Sequence, residues 1–131
     1  FGHHPTALDL TLESLRARYP QHRLVACFEP RSNTASRKLM QDAFQEALKK
    51  ADEVFLPPPH RAEKLGEERF DSAGVAAAIT AAGRKGFAPA SNDALLAELT
   101  ALVKADKSPR CVVFFSNGAF GGIIKKFAQS A

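Results

Sequence analysis

An α/β fold, with a Rossmann-like, mostly parallel sheet and helices on both faces, is what this sequence predicts, on three observations. Two runs, Leu24-Val25-Ala26-Cys27-Phe28 and Cys111-Val112-Val113-Phe114-Phe115, carry no polar side chain, as strands do when helices cover both faces of their sheet. Segments of helical spacing alternate with short apolar runs along the chain. Each of the two runs ends in a polar or glycine-rich loop leading into a helical pattern, and open parallel sheets bind ligands at the carboxyl ends of their strands.

Thr6 to Tyr19 places Leu8, Leu12, Leu15 and Tyr19 on one helical face, and Pro20 stops it. The strand Leu24–Phe28 follows. Ser36 to Ala51 sets Met40, Phe44, Ala47, Leu48 and Ala51 on one face. Glu53–Leu56 reads as a short strand halted by Pro57-Pro58-Pro59, since three prolines continue neither a ladder nor a helix. His60 to Arg69 is charged and unpatterned, an exposed connection. Asp71 to Ala82 is an alanine-rich helix stopped by Gly83, and Gly86–Ala88 makes a brief strand. Asn92 to Ala105 is a helix with Leu95, Leu96, Leu99, Leu102 and Val103 facing inward, and it leads to the strand Cys111–Phe115.

With 131 residues and 45% hydrophobic content, the chain is long enough for one core and too short for two, so residues 1–131 read as one domain. It has no apolar run of ~18 residues and no signal-peptide pattern, which points to a cytoplasmic protein with no membrane partner. The net charge of +4 admits nucleic acid. The basic residues are dispersed, however, as Arg16/Arg18, Arg37/Lys38, Lys49/Lys50, Arg84/Lys85 and Lys125/Lys126, mostly at helix ends. They read as solvated surface with no nucleic-acid partner, Lys49 and Lys50 complementing a helix dipole. Cys27 and Cys111 read as buried free thiols, and the absence of Cys-x-x-Cys or His-x-x-x-His spacing predicts no metal site. His22 and His60 read as surface residues.

Chemistry concentrates in three segments. After the first apolar run comes Glu29-Pro30-Arg31-Ser32-Asn33-Thr34. There the Arg31 guanidinium is suited to bidentate capture of a carboxylate or phosphate, beside three short hydrogen-bonding side chains. An ordinary loop whose polar residues cap the next helix has the same composition. Glu29 reads either as a site acid or as the group that fixes the Arg31 rotamer. The opening Phe1-Gly2-His3-His4-Pro5-Thr6 sets paired histidines just before a helix N-terminus. Ser116-Asn117-Gly118-Ala119-Phe120-Gly121-Gly122 offers backbone amides for an anion, or simply a strand-to-helix turn.

In this order and spacing the three segments resemble the C-terminal domain of the Mur ligase family, from Phe1 to Phe127, and within it the members that add a whole peptide rather than alanine. Ala119 and the stretch Ala35-Ser36-Arg37-Lys38-Leu39-Met40 depart from the pattern. The resemblance implies a fragment of a three-domain enzyme, since the family precedes Phe1 with further chain. That chain includes a phosphate-gripping Gly-x-x-x-x-Gly-Lys-Thr/Ser loop, and no such loop occurs here. It implies that the parent joins UDP-N-acetylmuramate to the murein tripeptide L-alanyl-γ-D-glutamyl-meso-diaminopimelate in cell-wall peptide recycling, through an acyl phosphate made from ATP with Mg2+. Both cofactors would be bound mainly by the central domain, and the isolated domain would be inactive. By motif match Arg31 would pair with a tripeptide carboxylate, and Ser32, Asn33 and Thr34 would shape the same pocket. His4 would be the catalytic candidate near the incoming amine or the nucleotide phosphates, with His3 supporting the turn as a substrate-binding residue, while Asn117 and Gly118 would contact anionic substrate groups. An alanine-adding member of the family, and an α/β module that binds an anion or nucleotide without ligase chemistry, are the alternatives.

Overall fold

Helices and strands alternate along the computed structural model, which describes residues 5–29, 41–58, 71–105, 107–115 and 122–130. In chain order they are α1 (Pro5–Arg18), β1 (Arg23–Phe28), α2 (Gln41–Leu48), β2 (Glu53–Phe55), α3 (Ser72–Ala81), β3 (Lys85–Phe87), α4 (Asn92–Ala105), β4 (Arg110–Phe115) and α5 (Ile123–Ser130). The helix expected from Thr6 begins one residue earlier, at Pro5, because a proline needs no hydrogen-bond acceptor for its nitrogen in the first turn. The helix expected over 36–51 ends at Leu48, and its first five residues lie outside the described residues. Ala51, in the turn that follows, is still fully buried.

Among the described residues the sheet has four strands, all parallel, in the order β3-β2-β1-β4. β1 is therefore central, paired with β2 on one side (Val25 opposite Glu53) and along its whole length with β4 on the other, from Arg23 opposite Arg110 to Phe28 opposite Phe115. The chain steps outward from β1 to β3 and then crosses back to β4. The strand order thus reverses direction between β1 and β4.

Side chains of β1 alternate between two layers, as the two-residue period of a strand requires. Leu24, Ala26 and Phe28 join Leu8 and Leu12 of α1, Phe44 and Leu48 of α2, and Val75 and Ile79 of α3 in one core. Val25 and Cys27 join Phe55, Leu95 and Leu99 in the other, against which Phe114 and Phe127 also pack. Helices cover both faces, as expected. β4 too is covered on both faces, Cys111 and Val113 packing against the first core and Val112 and Phe114 against the second, while Arg110–Phe114 stay half-buried because among the described residues β4 has a strand neighbour on one side alone.

Cys27 belongs to one core and Cys111 packs against the other. Cys111 stands opposite Leu24, three positions along the register from Cys27. The thiols point to opposite faces of the sheet and are free. Burial pushes both above the ordinary thiol pKa.

The amino edge of the sheet is tied by charge. Asp52 Oδ2 accepts the Leu24 N–H at 2.8 Å and Arg16 Nη2 at 2.9 Å, and Arg84 Nη1 lies 3.4 Å from Oδ1. Partial burial pushes this carboxyl up, but the Leu24 N–H and the Arg16 guanidinium outweigh it and hold Asp52 below the usual carboxylate value. Glu53, 1% exposed, lies 3.4 Å from Arg23 Nε and 3.5 Å from Arg110 Nε. Arg16 and Arg84 are therefore partners of an inward acid rather than free solvated charge. The account of Lys50 changes too, because α2 ends before it and its ammonium reaches Asp9 at 3.1 Å and Glu13 at 2.7 Å on α1. His22, read as a surface residue, is half-buried with its ring 5.2 Å from that of Tyr19, and His60 lies outside the described residues.

Candidate functional site

The strand order reverses between β1 and β4, and it is outside the carboxyl ends at such a switch point that open α/β sheets bind ligands. One backbone hydrogen bond, from Glu29 N–H to the Phe115 carbonyl at 3.0 Å, carries the pairing of β1 and β4 one residue past the end of β1. The loops that leave the two strands thus start from fastened, adjacent positions.

Two helices aim at the same edge. In the last turn of α1, Arg16 donates to the carbonyls of His22 and Lys50 as well as to Asp52, which places that end at the amino edge. The opposite end of this 14-residue helix, about 21 Å away, therefore points to the carboxyl edge and begins at Pro5, directly after the paired histidines in sequence. Helix α4 starts there as well, because Asn92 Nδ2 donates to Glu29 Oε2 at 3.1 Å. Ser91 supplies its cap, its hydroxyl accepting the Ala94 N–H at 3.1 Å.

His3, His4, Arg31, Ser32, Asn33, Thr34, Asn117 and Gly118 lie outside the described residues. The residues that flank them are described: Pro5, Glu29, Phe115 and Gly122. Three of these, Pro5, Glu29 and Phe115, belong to the carboxyl edge. Gly122 has a φ of 86°, a backbone conformation that glycine adopts without strain as the chain turns into α5.

Glu29, read as a site acid or as the group fixing Arg31, is 5% exposed and holds the side chain of Asn92. Sequence reasoning missed Asn92 altogether. The bond joins residues 63 positions apart, and an asparagine after a serine at a helix start reads only as capping chemistry. Among the described residues no group of three or more His, Cys, Asp or Glu is placed to hold a metal ion. None of the described helices is long and apolar enough to cross a membrane.

Comparison with known proteins gives a consistent picture. The chain is 31% identical over its full length to the UDP-N-acetylmuramate–L-alanine ligase of Hydrogenovibrio crunogenus, of which it covers 28%. The crystal structure of a murein peptide ligase from Psychrobacter arcticus superposes with a TM-score of 0.75 at 26% identity, over 99% of this chain and 26% of that one. A UDP-N-acetylmuramate–alanine ligase from Thermotoga maritima gives a TM-score of 0.59 at 16% identity, over 97% of this chain and 24% of that one, a likeness of fold. The chain spans about a quarter of the length of these relatives. Residues 1–118 match the family model described as the glutamate ligase domain of Mur ligases, and the chain belongs to the Mur ligase family.

Proposed function

We propose that the parent protein joins UDP-N-acetylmuramate to the tripeptide L-alanyl-γ-D-glutamyl-meso-diaminopimelate, and that residues 1–131 form the domain that binds the tripeptide and closes over the reacting groups. The observation that supports this reading is the structural likeness, over 99% of this chain, to part of a murein peptide ligase. The Glu-Pro-Arg-Ser-Asn-Thr segment at the carboxyl end of the central strand supports it. In the parent, ATP with magnesium supplies the phosphoryl group that activates the muramate carboxylate, and we assign that task to chain outside this domain.

This domain's own work is positional. Arg31 pairs with a carboxylate of the tripeptide, Ser32, Asn33 and Thr34 hydrogen-bond around it, and Asn117 and Gly118 offer N–H groups to anionic substrate atoms. His4, next to His3, accepts a proton from the attacking ammonium. Closure brings the amine within reach of the activated carboxyl and excludes water. We place this activity in the cytoplasm, in the reuse of released cell-wall peptide, and expect the isolated domain to turn over nothing.

A second reading, addition of L-alanine in place of the tripeptide, is favoured by the identity to an alanine ligase. The full-length enzyme, given ATP, magnesium, UDP-N-acetylmuramate and either acceptor, decides between them by mass spectrometry of the amide product. The tripeptide adduct is expected, and exclusive formation of the alanine adduct would select the second reading. Arg31→Ala is expected to weaken the preferred acceptor by about 2–5 kcal/mol, read from its KM.

A further inference from the structure

We propose that the Thr80 hydroxyl closes the outer edge of the sheet: it occupies the backbone polar groups that β3 turns outward, and so keeps a second copy of this chain from pairing there.

Among the described residues no strand lies beyond β3. The Lys85 N–H donates to the Asp52 carbonyl at 3.1 Å and the Phe87 carbonyl accepts the Leu56 N–H at 2.8 Å, so both residues face β2. Alternation along a strand then turns the N–H and carbonyl of Gly86, between them, away from the sheet. An edge of this kind is a template for another strand.

These outward groups are taken. The Gly86 N–H donates to Thr80 Oγ1 at 3.0 Å, and the Gly86 carbonyl lies 3.4 Å from the same oxygen. Thr80 Oγ1 is itself anchored, 3.0 Å from the Ala76 carbonyl one turn back in α3. A hydroxyl has one proton and two lone pairs, so donation to Ala76, at the shorter distance, leaves a lone pair for the Gly86 N–H. The arrangement needs a glycine. A Cβ on Gly86 would run into the Ala76 carbonyl, and only a residue without one lets the last turn of α3 come close enough for Thr80 to reach the strand. Arg84 and Lys85, both exposed beside Gly86, add like-charge repulsion between two such edges.

The test compares the full-length wild type with Thr80→Val, which keeps the branched shape without the hydroxyl, and with Thr80→Ser, which keeps the hydroxyl. At low concentration, hydrogen exchange of the Gly86 amide, read in the peptide Arg84–Ala88, is expected to quicken about fivefold in Thr80→Val, the scale of one neutral hydrogen bond. Exchange in the rest of α3 and the melting temperature are expected to hold. In sedimentation velocity the same variant is expected to associate beyond the wild type as concentration rises, and more so in high salt, which screens Arg84 and Lys85. Its Arg84–Ala88 peptide should then regain protection, which locates the contact at β3. Thr80→Ser is expected to match the wild type throughout. A Thr80→Val protein that sediments as the wild type does at every concentration overturns the proposal. Association that leaves Arg84–Ala88 unprotected, or that Thr80→Ser shares equally, overturns it as well. Should Thr80→Val fail to fold, Thr80→Ala, the better helix former, is read in the same way.

Discussion

Asp52 receives donors from three separate places: the backbone of β1, the last turn of α1 and the turn before β3. Asp52→Asn keeps the shape but puts an amide where a carboxylate met two guanidinium groups, and is expected to cost about 1–3 kcal/mol in a denaturant melt. The pH dependence has a definite sign. Because the folded carboxyl titrates below its ordinary value of 3.8, its contribution is fully present well above that value. It fades as pH falls through 3.8 to the folded pKa. Melting temperature plotted against pH should therefore drop more steeply below pH ~4 in the wild type than in Asp52→Asn, and parallel curves would remove Asp52 from the account. Cys27 tests the core in another way. Fully buried and with its thiol pKa pushed up by burial, it should resist alkylation until the protein unfolds, whereas half-buried Cys111 labels first. Mass spectrometry of peptides after a timed iodoacetamide pulse distinguishes the two, and early labelling of Cys27 would contradict its burial. Single residues of this kind were the hardest to read beforehand. Nothing local ties Asp52 to Arg16, or Glu29 to Asn92, because the partners are neighbours only after the sheet is ordered.

Elements were far more legible. The leucine spacing located α4, and the apolar runs located β1 and β4, because periodicity is a local property that survives folding. Misreadings arose where a tertiary contact decides. β3, expected at Gly86–Ala88, lies one residue earlier at Lys85–Phe87, where Gly86 aligns with Val54 of β2 and its N–H bonds to Thr80 Oγ1 at 3.0 Å. A Cβ on Gly86 would run into the backbone carbonyl of Ala76, in α3. A backbone atom has no rotamer with which to yield, so Gly86→Ala should push α3 from β3 at a cost of about 1–3 kcal/mol. Chemical denaturation reads this directly, and a shift below about 0.5 kcal/mol, the range of an ordinary surface change, would mean that the helix and strand approach less closely than described.

At the scale of the molecule, the parallel sheet between helix layers was foreseeable from strands without polar side chains, but the order of its strands was not. Hydrophobic pattern says which faces are covered and is silent about which strand lies beside which. That order generates the candidate site, because only the return of β4 to the far side of β1 brings the Glu29 and Phe115 ends together. It also has a consequence in time. The register marries residue 23 to residue 110, so the central strand lacks one of its two neighbours until most of the chain has left the ribosome. Contacts of such long sequence separation close slowly. Newly made chain must meanwhile carry an apolar strand with one edge unpaired, an opening for association with other nascent chains that disappears when β4 arrives.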